Sequence, residues 1–274
     1  MFCQVYNCLT FPDEFESFES PKLLIQSAKK NLSDLEGQIV AAIDAHTYTI
    51  IRNVDNKTGD LRIKLRFDKK LPPILRFSAT KIITDLRNAL DQVVCDAASA
   101  MGMTKIDSIY FPFAKDVQQI NGRIKQACGG VPIEIIDLVK TFQPYNGGDS
   151  LLWGCSKLAN KGKHQRALNL VPLAENWIIN NSDGMLNVTL NPGDILGINK
   201  MTYLRNELEF ARISPGGHFD MNFGITIGIF IGEAEPEALG GKPILAVLNA
   251  FSSKVESIVL AIEAETNRIL ATKL

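Results

Sequence analysis

After Arg166 the apolar period of this chain changes from about 3.6 residues to 2, so a mainly helical stretch should give way to strands there. Upstream, Leu24, Ala28, Leu32, Leu35, Ile39 and Ile43 recur at spacings of three and four behind a Ser20-Pro21 helix start. Ile82/Ile83, Leu86, Leu90, Val93/Val94 and Ala97 form the longest stripe, within 74–101, with Gly102 as its terminator. Downstream, every odd position from Phe219 to Ile231 is apolar, the pattern of a half-buried strand of about 13 residues. The even side is mostly small or polar, and its glycine row reads as a twisted, solvent-facing strand rather than a ligand surface.

Punctuation supplies the remaining elements. Thr47 to Ile51 and Leu61 to Phe67 flank Asp55-Asn56-Lys57-Thr58-Gly59 and read as a hairpin. Short helices are expected at Ile120 to Cys128 and Pro132 to Phe142. Another, capped by Asp149 or Ser150, should end near Gly162. Ala167 to Leu173, Asn176 to Asn180, Met185 to Leu190 and Tyr203 to Arg212 read as separate short strands. Pro243 opens a final helix with a nearly heptad stripe, to be buried within the chain or, alternatively, paired with a second copy.

The expected fold is α+β, a helical bundle with an inserted β-hairpin at 47–67, an antiparallel sheet and a long C-terminal helix. The expected division is an arm over 1–19, the bundle over 20–166, the sheet region over 167–240 and the last helix over 241–274, all within one domain or two.

Of 274 residues, 46% are hydrophobic and the net charge is −1, so nucleic acid could be held only by a local basic patch. The five cysteines lack C-x-x-C or disulfide-framework spacing, and Cys3 and Cys8 have no second ligand pair nearby. The acidic N-terminus is unlike a signal peptide, and no apolar stretch reads as a membrane span. The expectation is a soluble, cytoplasmic protein with no membrane partner. No phosphate-loop, dinucleotide-binding, zinc-protease or nucleophile-elbow motif occurs, so neither cofactor nor metal is expected.

Chemistry-bearing groups gather in two segments. On the 74–101 helix, Arg87 and Asp91 fall roughly 100° and 140° from Leu86, bordering the buried stripe with Asn88 beside them. They are either a local ion pair with the arginine stem covering the core, or a guanidinium aimed at another element or an anion. The second segment carries Lys157, Asn160, Lys161, Lys163, His164 and Arg166, four cations without an acid. Basic residues there either complement a helix C-terminus or form an anion site in which His164 titrates near neutrality. Cys155, though near His164 in sequence, belongs to the apolar stripe and should be inert.

Leu86-Arg87-Asn88-Ala89-Leu90-Asp91, Phe111-Pro112-Phe113, Gln143-Pro144-Tyr145 and Lys163-His164-x-Arg166 occur in the order found in a group of uncharacterised bacterial and phage-associated proteins. The stretch from about Ile74 to Val171 resembles that group. More distantly, Arg87-Asn88 on a long helix resembles HEPN-type helical domains. Active members use an Arg and a His five residues later for metal-independent RNA cleavage, usually across a dimer; here the fifth position is Gln92. The resemblance implies a binding module for RNA or another phosphate-bearing ligand, centred on Arg87, Asn88 and His164. Asp91, Asn160, Lys161, Lys163 and Arg166 would contact the ligand. A ribonuclease with His164 in place of the missing histidine is one alternative, and a structural interaction protein, with a homodimer among its forms, is another.

Overall fold

In the computed structural model, residues 17–44, 48–67, 70–164, 166–179, 187–200, 207–220, 223–233, 235–236 and 238–272 are described. The architecture is α+β. The helices are α1 (Glu19–Asp44), α2 (Pro73–Ala100), α3 (Ile120–Ala127), α4 (Ile133–Thr141), α5 (Ser150–His164) and α6 (Ile244–Ala271). The strands are β1 (Tyr48–Val54), β2 (Leu61–Phe67), β3 (Leu170–Ile179), β4 (Asn187–Thr189), β5 (Ile195–Lys200), β6 (Glu207–Ile213), β7 (His218–Asp220) and β8 (Phe223–Ile231).

The apolar stripes bury as their spacing demands. Leu75, Ile82, Ile83, Leu86, Leu90 and Val93 of α2 pack into one core with Leu32, Leu35 and Ile39 of α1 and Val255, Ile258 and Ile262 of α6. Pro73 starts α2, where its missing N–H costs no helical bond. Gly102, at φ 87°, ends that helix in a conformation other residues avoid. The last helix thus packs within the chain. It is also long and apolar enough to cross a bilayer, by length and composition, although its inward face lies in the core.

The strands assemble differently from their sequence reading. The hairpin is the outer half of a four-stranded antiparallel sheet, β1-β2-β6-β5, and so pairs with the downstream strands. Alternation marks the face of each strand but not its neighbour. Ala167 to Leu173 and Asn176 to Asn180 do not form two strands. β3 runs through both, with a bulge between Ala174 and Asn176, and pairs with β8. The Phe219-to-Ile231 run is divided between β7, paired with β4, and β8. β5 has no counterpart among the strands read from the sequence, and Tyr203 lies outside the described residues.

A second core lies under the four-stranded sheet, from Ile63, Leu65, Phe67, Leu208, Phe210 and Ile213 with Phe219 and Ile227. Ile43 of α1 packs against both cores and ties the layers together. The outward face of the sheet is an ion-pair ladder. Arg66 and Lys64 reach Glu207, Arg62 reaches Glu209 and Asp55, and Arg212 reaches Glu209.

Candidate functional site

Arg87 borders the apolar stripe of α2, but it faces protein. The residue is 8% exposed. Its guanidinium lies 4.4 Å from the Phe113 ring centroid, donates from Nη2 to the Phe111 carbonyl at 3.4 Å, and ion-pairs with Asp91. The Asp91 carboxylate also accepts the Phe111 N–H at 2.9 Å. One turn of helix therefore takes both backbone polar groups of Phe111 and stacks a cation on Phe113. Pro112 cannot donate a hydrogen bond and holds the segment extended between the two rings.

The next segment joins the same junction. The Ala114 N–H donates to the Pro144 carbonyl at 3.0 Å, docking the Gln143-Pro144-Tyr145 turn against Phe111-Pro112-Phe113. Gln143 adopts φ 50°, a left-handed conformation, and its carbonyl accepts from Tyr145 and Asp149. Gly148 fits because a Cβ there would lie 2.5 Å from the Gln143 carbonyl oxygen. Three of the four segments singled out in the sequence thus form one continuous internal contact.

The fourth segment lies on α5. Gly162 lies within the helix and packs closely against α2, where a Cβ would lie 2.5 Å from Thr80 Cγ2. The helix ends two residues later, at His164, close to the expected limit. Lys163, exposed, donates to the Asn88 side chain at 3.1 Å, bringing Asn88 and Lys163 together at the surface. Lys157 is exposed with its ammonium 5.3 Å from the Trp153 ring centroid, and Asn160 and Arg166 are exposed. The backbone of His164 closes α5, while its side chain lies outside the described residues.

Two expected ligand contacts have other occupations. Lys161 is bound at 2.6 Å to Glu235, whose side chain is fully buried and also accepts the Asn169 N–H at 3.0 Å. A buried carboxylate needs its cation, so Lys161 belongs to the fold and not to the exposed cations. Asp91, as described, holds Arg87 and Phe111. Gln92 accepts the Ser20 hydroxyl at 2.8 Å and faces α1. Glu235 is the polar residue the sequence did not point to, since it lies in a Gly- and Pro-flanked loop 74 positions from its partner Lys161 on α5.

Burial pushes the Cys155 thiol far up and Cys128 up to about 12, keeping both protonated and poor nucleophiles at neutral pH. Among the described residues, no three His, Cys, Asp or Glu side chains gather as metal ligands. No family model, curated protein or solved structure matches this chain.

Proposed function

We propose that this chain is a HEPN-like, non-catalytic binding module taking a phosphate-bearing partner on the exposed side of α5, at Lys157, Asn160, Lys163 and Arg166. The observation that carries the reading is clustered, unmatched charge. Lys157, Lys163 and Arg166 are exposed and form no ion pair among the described residues. Lys30, Lys105, Lys115 and Lys125 are also exposed without an ion pair among the described residues, but they lie far apart in the sequence or on other elements. Lys22, Lys29, Lys81, Lys140, Lys161 and Lys254, in contrast, each hold a carboxylate. Three cations exceed the roughly half negative charge of a helix C-terminus, leaving a local positive field on a near-neutral chain. The Trp153 ring beside Lys157 and the Asn88 amide beside Lys163 add a flat apolar face and a hydrogen-bonding group.

The ribonuclease alternative has less support, because the Arg87 guanidinium is enclosed by Asp91, Phe111 and Phe113. Transition-state stabilisation needs a donor that reaches the reacting phosphate. The test is fluorescence anisotropy with a labelled single-stranded RNA, with inorganic phosphate as competitor, across a salt series. Lys157→Ala/Lys163→Ala/Arg166→Ala should weaken binding at least ~10-fold and reduce the salt slope by roughly 2, about 0.7 per lost contact. Unchanged affinity in the triple variant, or no binding by the wild type, overturns the proposal. RNA cleavage in EDTA that Asn88→Ala abolishes would establish the ribonuclease instead.

A further inference from the structure

The inward stripe of α6 fills the core, yet the same helix carries a second heptad on its outward side. Ala246, Ala250, Ser253, Ser257, Leu260, Ala264, Asn267 and Ala271 recur at alternating steps of four and three, and all eight are exposed. None is charged. The helix has five charged residues, and each is paired within the chain: Lys254 with Asp149, Glu256 with Lys29, Glu263 with Lys22, and Glu265 with Arg268. The Ser257 hydroxyl donates to the Lys254 carbonyl at 2.8 Å, and the neighbouring Asn249 amide donates to the Leu245 carbonyl at 3.0 Å. Two of this side's polar groups are therefore satisfied before anything docks.

We infer that the outward face of α6 is a two-fold contact with a second copy of this chain, the two α6 helices running antiparallel and meeting between Ser257 and Leu260. A sustained 3.5-residue repeat is the pattern that keeps one helix in register along another. Alanine and serine permit a close approach that only a similarly smooth surface can match. At the midpoint, Leu260 is the one bulky side chain of the stripe, 51% exposed. Beside it lies a hollow of about 180 Å³ lined by Lys22, Ile25, Gln26, Glu256, Val259 and Leu260. Two-fold symmetry sets Leu260 of each copy against Ser257 of the other, at the edge of that hollow, so knob and recess are self-complementary.

Charge and area agree with this occupant. The α1 flank alternates Lys29, Glu256, Lys22 and Glu263 with no net charge, so two such flanks meet without net repulsion. A helix of 28 residues is about 42 Å long. With the adjoining side of α1, where Leu23 is 46% exposed, the strip is two helices wide. At roughly 10 Å per helix it covers about 800 Å² on each copy, the size of a standard specific interface. A bilayer suits the face less well. Membrane-surface helices present bulky apolar residues flanked by Lys and Arg, whereas this stripe is mostly Ala and Ser beside Glu256 and Glu263.

Sedimentation equilibrium of the full chain between roughly 1 and 100 µM, the range bracketing a micromolar contact, tests the inference. The wild type should dimerise. Leu260→Asp and Ala264→Arg should each weaken the dimer at least ~10-fold while leaving thermal melting by circular dichroism unchanged in solutions dilute enough for the wild type to be monomeric, since both positions are exposed in the monomer. A wild type that stays monomeric across the range overturns the inference, as does a dimer indifferent to both changes. A monomer that co-floats with phosphatidylcholine vesicles, and loses that property in Leu260→Asp, would assign the face to a bilayer. None of these readings depends on anion binding at α5.

Discussion

The helical layer and the four-stranded sheet handle charge in opposite ways. In the helical layer, Arg87 of α2, and Glu235 of the loop before α6 held by Lys161 of α5, are taken inside and surrounded by designated partners. In the sheet, Arg62, Lys64, Arg66, Glu207, Glu209 and Arg212 stay on the outward face and share partners along a ladder. Arg87 and Glu235 each depend on a single ion-pair partner, whereas the ladder carboxylates, though only 13% and 14% exposed, each keep a second cation when one is lost. Polar substitutions in the helices should therefore be costly and specific, and those in the ladder mild and interchangeable.

The largest effect is expected at Asp91. Asp91→Ala leaves the Arg87 guanidinium without its carboxylate and the Phe111 N–H without its acceptor, and should cost about 3 kcal/mol in urea denaturation. Arg87→Met should cost less, because Asp91 is 28% exposed at its side chain and can hydrate. Glu207→Gln in the ladder should cost less than about 1 kcal/mol. An Asp91→Ala cost no larger than that of Glu207→Gln would erase the distinction between the layers.

Packing supplies the second test. Gly162→Ala should raise helix propensity by about 1 kcal/mol, yet its Cβ would lie 2.5 Å from Thr80 Cγ2, a branched methyl with little room to yield. Overpacking of this kind costs about 1–3 kcal/mol, so the net effect should be destabilising. Thr80→Ser removes the methyl and keeps the hydroxyl that accepts the Leu168 N–H at 2.9 Å. Combined with Gly162→Ala it should restore the urea midpoint to that of Thr80→Ser alone. Failure of that rescue would mean that another contact sets the α2–α5 approach.

These two sites also mark how far the sequence could be read. The 100° step places Arg87 at the edge of its stripe, where the structure has it. Edge positions serve either solvent or a second packing neighbour, and the neighbour, Phe111 to Phe113, begins 24 residues away with no periodic signal linking the two. Lys161 and Glu235 pose the same problem across 74 residues. Helix limits set by Gly102 and Pro243 are legible because those residues act through their own backbone. Gly162 marks the end of α5 to within two residues, but glycine has two uses, ending a helix or admitting a close neighbour, and here it also admits Thr80. Strand partners were not legible, since alternation in Leu61 to Phe67 is the same whether β6 lies alongside or not.

The smallest effect is expected in how the layers respond to pH, and its sign differs between them. Glu207 is held below the usual glutamate value by the Arg66 hydrogen bond and by Lys64, and Asp194 is held down by the Ser214 N–H and hydroxyl. A depressed carboxyl contributes stability that is present above its unfolded pKa and lost as pH falls through its folded value, so the sheet should weaken below about pH 4. Asp96 in the helical layer is shifted the other way, its carboxyl raised by burial against the Phe18 N–H bond. In the interval just above the ordinary aspartate value, folded Asp96 takes up a proton that the unfolded chain does not, so acidification there favours the helical layer. Burial also raises Cys95 and brings Cys128 up to about 12. The unfolded thiols ionise first on the alkaline side, so this layer should lose stability as pH rises above about 9. Urea midpoints across pH 3–11 should then show an acid limb flattened by Glu207→Gln and an alkaline limb flattened by Cys128→Ala, with neither substitution altering the other limb. Cross-effects between the limbs would mean that the layers unfold as one electrostatic unit, and that the division of charge between inside and outside has no energetic consequence.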